Sequence, residues 1–127
     1  KQMSNFPVVR VERVDVRNES ASKIDVWARI KNDSDRQVKV VSWEYLGNMR
    51  NESHTLNPGN TVDVMLYSGA PKNYPDQMYI RYEAEHDGGK HYFLARHQAK
   101  FDERYNNDTK WYRPSDWREF QRVDRGN

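Results

Sequence analysis

Hydrophobic and polar residues alternate along most of this chain, which is the pattern of β-strands with one buried face. The clearest run is residues 23–32, where apolar side chains occupy every second position from Ile24 to Ile30. Similar runs cover residues 61–67, 77–85 and 90–100. The last of these has apolar side chains on both faces, so we expect both of its faces to be partly covered.

Two further runs change phase midway. In residues 8–16 the apolar positions shift by one residue after Val11, and in residues 38–45 they shift by one residue after Val40. A shift of one residue moves every following side chain to the opposite face of a sheet. Each phase change therefore predicts a β-bulge, or a strand that leaves one sheet for the other.

Short groups of Asn, Asp, Ser, Gly and Pro separate these runs, as turns do. A short extra strand is possible at residues 52–56. The pattern then gives about seven strands in roughly 100 residues, which predicts an all-β fold and, within that class, an antiparallel immunoglobulin-like β-sandwich. We assign residues 1–100 to this sandwich and residues 101–127 to a C-terminal arm.

The arm has an unusual composition, because it holds six aromatic residues and a single aliphatic one, Val123. Asp116 with Glu119 three residues later resembles a helix cap, so a short helix over residues 116–123 is possible. The arm could cover the sandwich or dock on a partner. Aromatic rings anchor protein interfaces, and we assign partner binding to those of the arm. The candidates are Tyr105, Trp111, Tyr112, Trp117 and Phe120.

Composition and charge exclude several classes of protein. The chain has 127 residues and no cysteine, so it forms one domain without disulfides or thiolate metal sites. No apolar run approaches the roughly 18 residues of a membrane-spanning helix. The net charge of +2 is spread evenly, and without a basic cluster we expect no nucleic-acid partner. Folding could still gather several basic residues on one sheet face, namely Arg10, Arg13, Arg17, Arg29 and Lys31.

Motifs for catalysis are absent from the sequence: there is no nucleophile elbow, zinc-protease helix motif or phosphate-binding loop. His86 and His91 flank a predicted turn and could meet across a hairpin with Asp87 or Glu85 nearby. Histidine pairs of this kind are usually surface residues. We therefore expect no enzymatic activity, no metal and no cofactor.

Two aromatic residues suggest an alternative function. Trp27 and Tyr67 each lie opposite the apolar face of their own strand. Flat rings on a sheet face stack well on sugar rings, so a carbohydrate-binding β-sandwich module is the alternative, with Trp27 and Tyr67 as its site.

Four Asn-x-Ser/Thr triplets begin at Asn18, Asn32, Asn51 and Asn107, where chance predicts about one. They could be N-glycosylation sites. The same residues also favour turns, because Asn and Ser side chains bond nearby backbone groups. Three of the four coincide with predicted turns, and we favour the structural interpretation.

The stretch from Ile30 through Asn32 and Ser34, followed later by Leu56-Asn57-Pro58-Gly59, resembles small immunoglobulin-like domains of bacterial envelope proteins, the FxLYD and CARDB-like groups. The resemblance implies a non-catalytic extracytoplasmic module, either secreted or on the cell surface, with a role in display, spacing or contact. It covers about residues 8–100 and carries over no site residues.

Together these observations favour a structural or protein-protein interaction module. Its expected partner is protein, through self-association or a larger assembly such as a surface filament or particle.

Overall fold

The computed structural model describes the backbone of most of the chain, and the side chains of residues 6–71 and 77–97. The backbone ranges are 6–71, 77–98, 104–106, 111–112 and 118–123. These ranges contain ten strands and no helix. They are β1 (Val9–Arg17), β2 (Lys23–Asn32), β3 (Val38–Tyr45), β4 (Asn48–Leu56), β5 (Thr61–Pro71), β6 (Gln77–His86), β7 (Gly89–Gln98), β8 (Arg104–Asn106), β9 (Trp111–Tyr112) and β10 (Arg118–Val123).

The strands form two sheets, and every pairing between neighbouring strands is antiparallel. The first sheet has the order β5-β2-β1-β9-β8, and the second has the order β10-β7-β6-β3-β4. The seven strands before residue 99 build the sandwich, as the alternating pattern predicts. The all-β prediction is confirmed. Within the described ranges there is no helix of sufficient length and hydrophobicity to span a bilayer.

The core lies between the two sheets and follows the alternation in the sequence. In β2 every second residue from Ile24 to Ile30 is buried, and β6 buries Met78, Ile80 and Tyr82 in the same way. The described part of the predicted strand at residues 90–100 lies in β7 and is covered on both faces, as expected. Phe93 points into the core, while Leu94, on the outer face, is only 8% exposed.

Both predicted bulges are present. The pairing of β1 with β2 shifts between Val11 and Arg13. The pairing of β3 with β4 and with β6 shifts between Val40 and Ser42. The shift in β3 allows both Val40 and Trp43 to face the core, since it absorbs the odd number of residues between them.

The pairing of β2 with β5 is also irregular, which the hydrophobic pattern does not predict. Val26 pairs with Tyr67, whereas Trp27 pairs with Met65, so Leu66 is passed over. The indole of Trp43 reaches this point from the other sheet and donates a hydrogen bond to the Met65 carbonyl at 3.0 Å. The irregularity turns Tyr67 to the core side, where it packs against the buried cluster. The expectation that Tyr67 lies opposite the core is therefore wrong.

The short helix expected over residues 116–123 is also wrong for the described part of that segment. Residues Arg118–Val123 form β10, which pairs along its whole length with β7. A helix this short is marginal in water on its own, even with a good cap. Along the edge of β7 the same residues form backbone hydrogen bonds of a strand ladder. These bonds stabilise the strand more than the predicted cap would stabilise a short helix.

Candidate interaction surfaces

Four of the five aromatic residues assigned to partner binding lie in strands. Tyr105 is in β8, Trp111 and Tyr112 form β9, and Phe120 is in β10. Trp117 lies outside the described residues, as do the side chains of the other four. Their assignment to a partner interface stays a prediction.

The backbone of the arm pairs with the sandwich that precedes it. In β9, Trp111 pairs with Asp15 and Tyr112 pairs with Val14, so this strand lines the edge of β1. In the other sheet β10 lines the edge of β7. The arm thus extends both sheets, on the side of the sandwich opposite β4 and β5.

The two aromatic residues of the carbohydrate alternative lie on different faces of the first sheet. Tyr67 packs against the core. Trp27 is half-buried on the outer face, where the guanidinium of Arg17 lies 4.1 Å from the centre of its ring. The structure therefore does not bring the two rings together into one platform.

Basic residues do gather on the outer face of the first sheet, but neighbouring carboxylates balance most of them. Arg29 forms a two-pronged hydrogen bond with Asp63, at 2.8 and 3.2 Å. This hydrogen bond is the main reason why the pKa of Asp63 is lowered and that of Arg29 raised. Arg13 lies 3.0 Å from Asp15, a carboxylate that is only 5% exposed. A phosphate chain would have to displace these carboxylates to reach the arginines.

Asp25, in β2, forms hydrogen bonds with both the β1–β2 connection and β5. Its carboxylate accepts hydrogen bonds from the side-chain amide of Asn18 at 2.8 Å and from the backbone N–H of Gly69 at 2.8 Å. The first of these is the largest cause of its lowered pKa. Asn18 itself has a positive φ of 52°, which Asn tolerates better than most residues.

Of the two histidines considered as metal ligands, His86 and His91, the first has other contacts. His86 lies 3.4 Å from Asp87, and its ring packs edge-on against Phe6 and Phe93. His54 contacts Glu52 at 2.8 Å. Across the described side chains, no group of three or more His, Asp or Glu residues could hold a metal ion.

The four Asn-x-Ser/Thr triplets differ in their surroundings. Asn32 is completely buried, and its amide donates to the carbonyl oxygens of Arg36 at 2.7 Å and Leu56 at 2.9 Å. Its side-chain oxygen accepts from the N–H of Ser34. Asn32 therefore has the structural role that we favoured. Asn51 is exposed on β4, and Asn107 lies outside the described residues.

The two motifs that carry the family resemblance meet in space. The backbone N–H of Gly59 donates to the Asn32 carbonyl at 2.9 Å, and Asn32 also bonds Leu56. Comparisons with protein-family models, with curated proteins and with solved structures find no match. The resemblance to envelope immunoglobulin-like domains stays a prediction.

One side of the sandwich is left open, where β4 and β5 are the outermost strands of the two sheets. A cleft of about 710 Å³ lies between them, and residues 53–56 and 59–62 line it. Most residues of β4 are exposed. Among the described strands, none pairs with the outer edge of either.

The sequence pattern underestimates β4, which begins at Asn48 rather than at residue 52. The connection to β3 is a two-residue loop, Leu46-Gly47, and both residues have positive φ values, 52° and 72°. Two-residue hairpin turns of type I′ require this combination. Gly47 is the one residue in the sequence that indicates such a turn. Leu is rare at the preceding position, so the sequence does not predict the two-residue hairpin.

Proposed function

We propose that the protein is a non-enzymatic interaction module that associates with other protein chains, including copies of itself, through the edges of its sheets. An extracytoplasmic or surface location, as implied by the family resemblance, is part of this proposal, and so is a role as an assembly subunit.

One observation carries the proposal: on one side of the seven-stranded sandwich the arm adds strands to both sheets, while on the other side the outermost strands belong to the sandwich itself. The arm supplies strands to β1 and β7, while no described strand pairs with the outer side of β4 or of β5. An open edge presents unpaired N–H and C=O groups that readily pair with another strand. The pairing that this chain uses for its own arm is the same chemistry that a partner would use on the opposite side.

The solution mass of the intact chain tests the proposal directly. Sedimentation velocity over a concentration series should show a mass that rises above 15.2 kDa as concentration increases. A chain that stays monomeric at every accessible concentration would remove self-association from the proposed function.

A further inference from the structure

The geometry of the β3–β4 hairpin determines which backbone groups of β4 point away from the sandwich. In a two-residue hairpin, the residues that flank the loop, here Tyr45 and Asn48, form a hydrogen-bonded pair. Such pairs alternate along an antiparallel ladder, so Arg50 also bonds to β3. The N–H and C=O groups of Met49 and Asn51 therefore point to the open edge.

At this edge the side chain of Arg50 has a hydrogen-bond donor without an acceptor in the part of the chain that the structure describes. Arg50 pairs with Trp43, whose side chain is in the core, so Arg50 lies on the inward side of β4. Its Nε is buried and has no hydrogen-bond partner among the described residues. A buried donor without an acceptor is costly, and for a charged group the cost is larger.

Glu52 lies two residues further along the same strand. Its carboxylate contacts His54 at 2.8 Å, and His54 pairs with the core residue Val40. Glu52 and Arg50 are thus on the same side of β4. The Glu52 carboxylate and Arg50, whose Nε has no hydrogen-bond partner among the described residues, thus lie two residues apart on one side of this edge strand.

We propose that β4 pairs with β4 of a second copy of this chain, antiparallel and centred on Asn51. This inference rests on the proposed function and specifies how the chain associates with itself. In this register Asn51 and Asn51 of the partner subunit exchange both backbone hydrogen bonds. Arg50 then lies across from Glu52 of the partner subunit, and two-fold symmetry repeats the pair.

The register follows from charge and from ladder geometry together. Residues next to a hydrogen-bonded pair form the non-hydrogen-bonded pairs, in which side chains approach most closely. Centring on Glu52 would place two carboxylates opposite each other, which is destabilising. Only the register centred on Asn51 places each Arg50 directly across from a carboxylate.

Strand β5 is a poorer edge for this purpose. Its pairing with β2 shifts between Ile24 and Val26 and again between Val26 and Trp27, and irregularities of this kind protect an edge from pairing. Its Asp63 is already bonded to Arg29. The pairing of β4 with β3 shifts only once, at residues 52–53, and residues 48–51 pair regularly.

A charge-exchange experiment on the full chain tests the proposal. Sedimentation velocity would compare the unaltered protein with Arg50→Glu, Glu52→Arg and the double variant, with Lys23→Glu as a control at an exposed site distant from β4 in sequence. Each single reversal creates two like-charge pairs, so the dimer dissociation constant should rise by about tenfold or more. The double variant should restore it to within a few-fold, and Lys23→Glu should leave it unchanged.

A backbone variant supplies an independent readout. Asn51→Pro removes the N–H that faces the open edge and leaves the Glu52–His54 contact in place, so it should abolish dimerisation. A cooperative urea transition, followed by tryptophan fluorescence, verifies that the variant is folded. If the protein dimerises and neither the reversals nor Asn51→Pro weaken the dimer, or if the double variant fails to restore it, the β4 interface is wrong while the proposed function stands. A chain that is monomeric throughout overturns the β4 interface and removes self-association from the proposed function.

Discussion

At the scale of single residues, the fold depends on a few polar groups whose hydrogen bonds join distant segments. Asn32 is the main example, because it is buried at the end of β2 and its side chain bonds the loop that precedes β3 and the end of β4. These contacts join the β2–β3 loop to the end of β4 at one end of the sandwich. An apolar residue of similar size would leave the Arg36 and Leu56 carbonyls without donors.

Replacing Asn32 by Ala should therefore destabilise the protein by about 2 to 4 kcal/mol, since buried carbonyl groups lose their partners. Asn51→Ala is the matched control, since Asn51 occupies the same kind of triplet but is exposed. Its effect should be within about 0.5 kcal/mol. Urea unfolding measured by tryptophan fluorescence gives both values. Equal effects for the two substitutions would contradict the structural role of Asn32.

Two carboxylates link stability to pH. The pKa of Asp63 is lowered chiefly by its hydrogen bond with Arg29, and that of Asp25 chiefly by Asn18. A carboxyl group whose pKa is lower in the folded state stabilises the fold above its unfolded pKa, near 4, and this contribution is lost as pH falls further. Thermal unfolding should therefore show a decline below about pH 4 that Asp63→Asn reduces. At pH 7 Asp63→Asn should cost less than about 1 kcal/mol, because the pair is partly exposed. An acid decline that is identical in Asp63→Asn would contradict this assignment.

At the scale of strands and turns, much of the arrangement can be predicted from periodicity. The alternation in β2 and β6 and the phase changes in β1 and β3 all correspond to observed strands and bulges. Periodicity does not predict where β5 is irregular, because Leu66 and Tyr67 fit a strand in either phase. Local sequence also wrongly predicts a helix at residues 116–123. It contains the capping pattern but no information on pairing with β7, which is distant in sequence.

The candidate interaction edge, β4, is harder to predict from the sequence than the fold. Aromatic residues in the arm are conspicuous in composition, whereas the open edge of β4 is a property of strand order that local sequence does not encode. Arg50 and Glu52 look like ordinary surface charges until the structure places them on an outermost strand. Strand order depends on long-range pairing, which a single sequence reveals only weakly.

The β6–β7 hairpin offers a test of turn chemistry. Its two-residue loop has positive φ at both positions, 49° at Asp87 and 81° at Gly88. A β-carbon is disfavoured in this conformation, so Gly88→Ala should lower the free energy of unfolding by about 1 to 2 kcal/mol. The neighbouring Gly89 begins β7, and a β-carbon there would make only an ordinary contact, 3.6 Å from His91. Gly89→Ala should thus be close to neutral in the same urea titration, and a larger effect at Gly89 than at Gly88 would refute the explanation.

At the scale of the whole molecule, the two sides of the sandwich differ, because the strands of the arm lie on one side only. On one side the last strands of the chain extend the sheets beyond β1 and β7, and on the other side the sandwich strands β4 and β5 are outermost. The described core draws its residues from β1 to β7. We therefore expect the two parts of the chain to have different roles. The sandwich supplies the stability of the fold, and the arm covers the edges of β1 and β7, which would otherwise be open to other chains.

Truncation after Gln98 tests this division. The shortened chain should still fold, as judged by far-UV circular dichroism and a cooperative urea transition, because the described core lies before the cut. It should associate at lower concentration than the full chain, since β1 and β7 become open edges. Arg50→Glu should weaken association less in the truncated chain, where the new edges offer other routes. If the truncated chain is instead a folded monomer while the full chain associates, the arm itself makes the contacts, and Tyr105, Trp111, Tyr112, Trp117 and Phe120 become the interface.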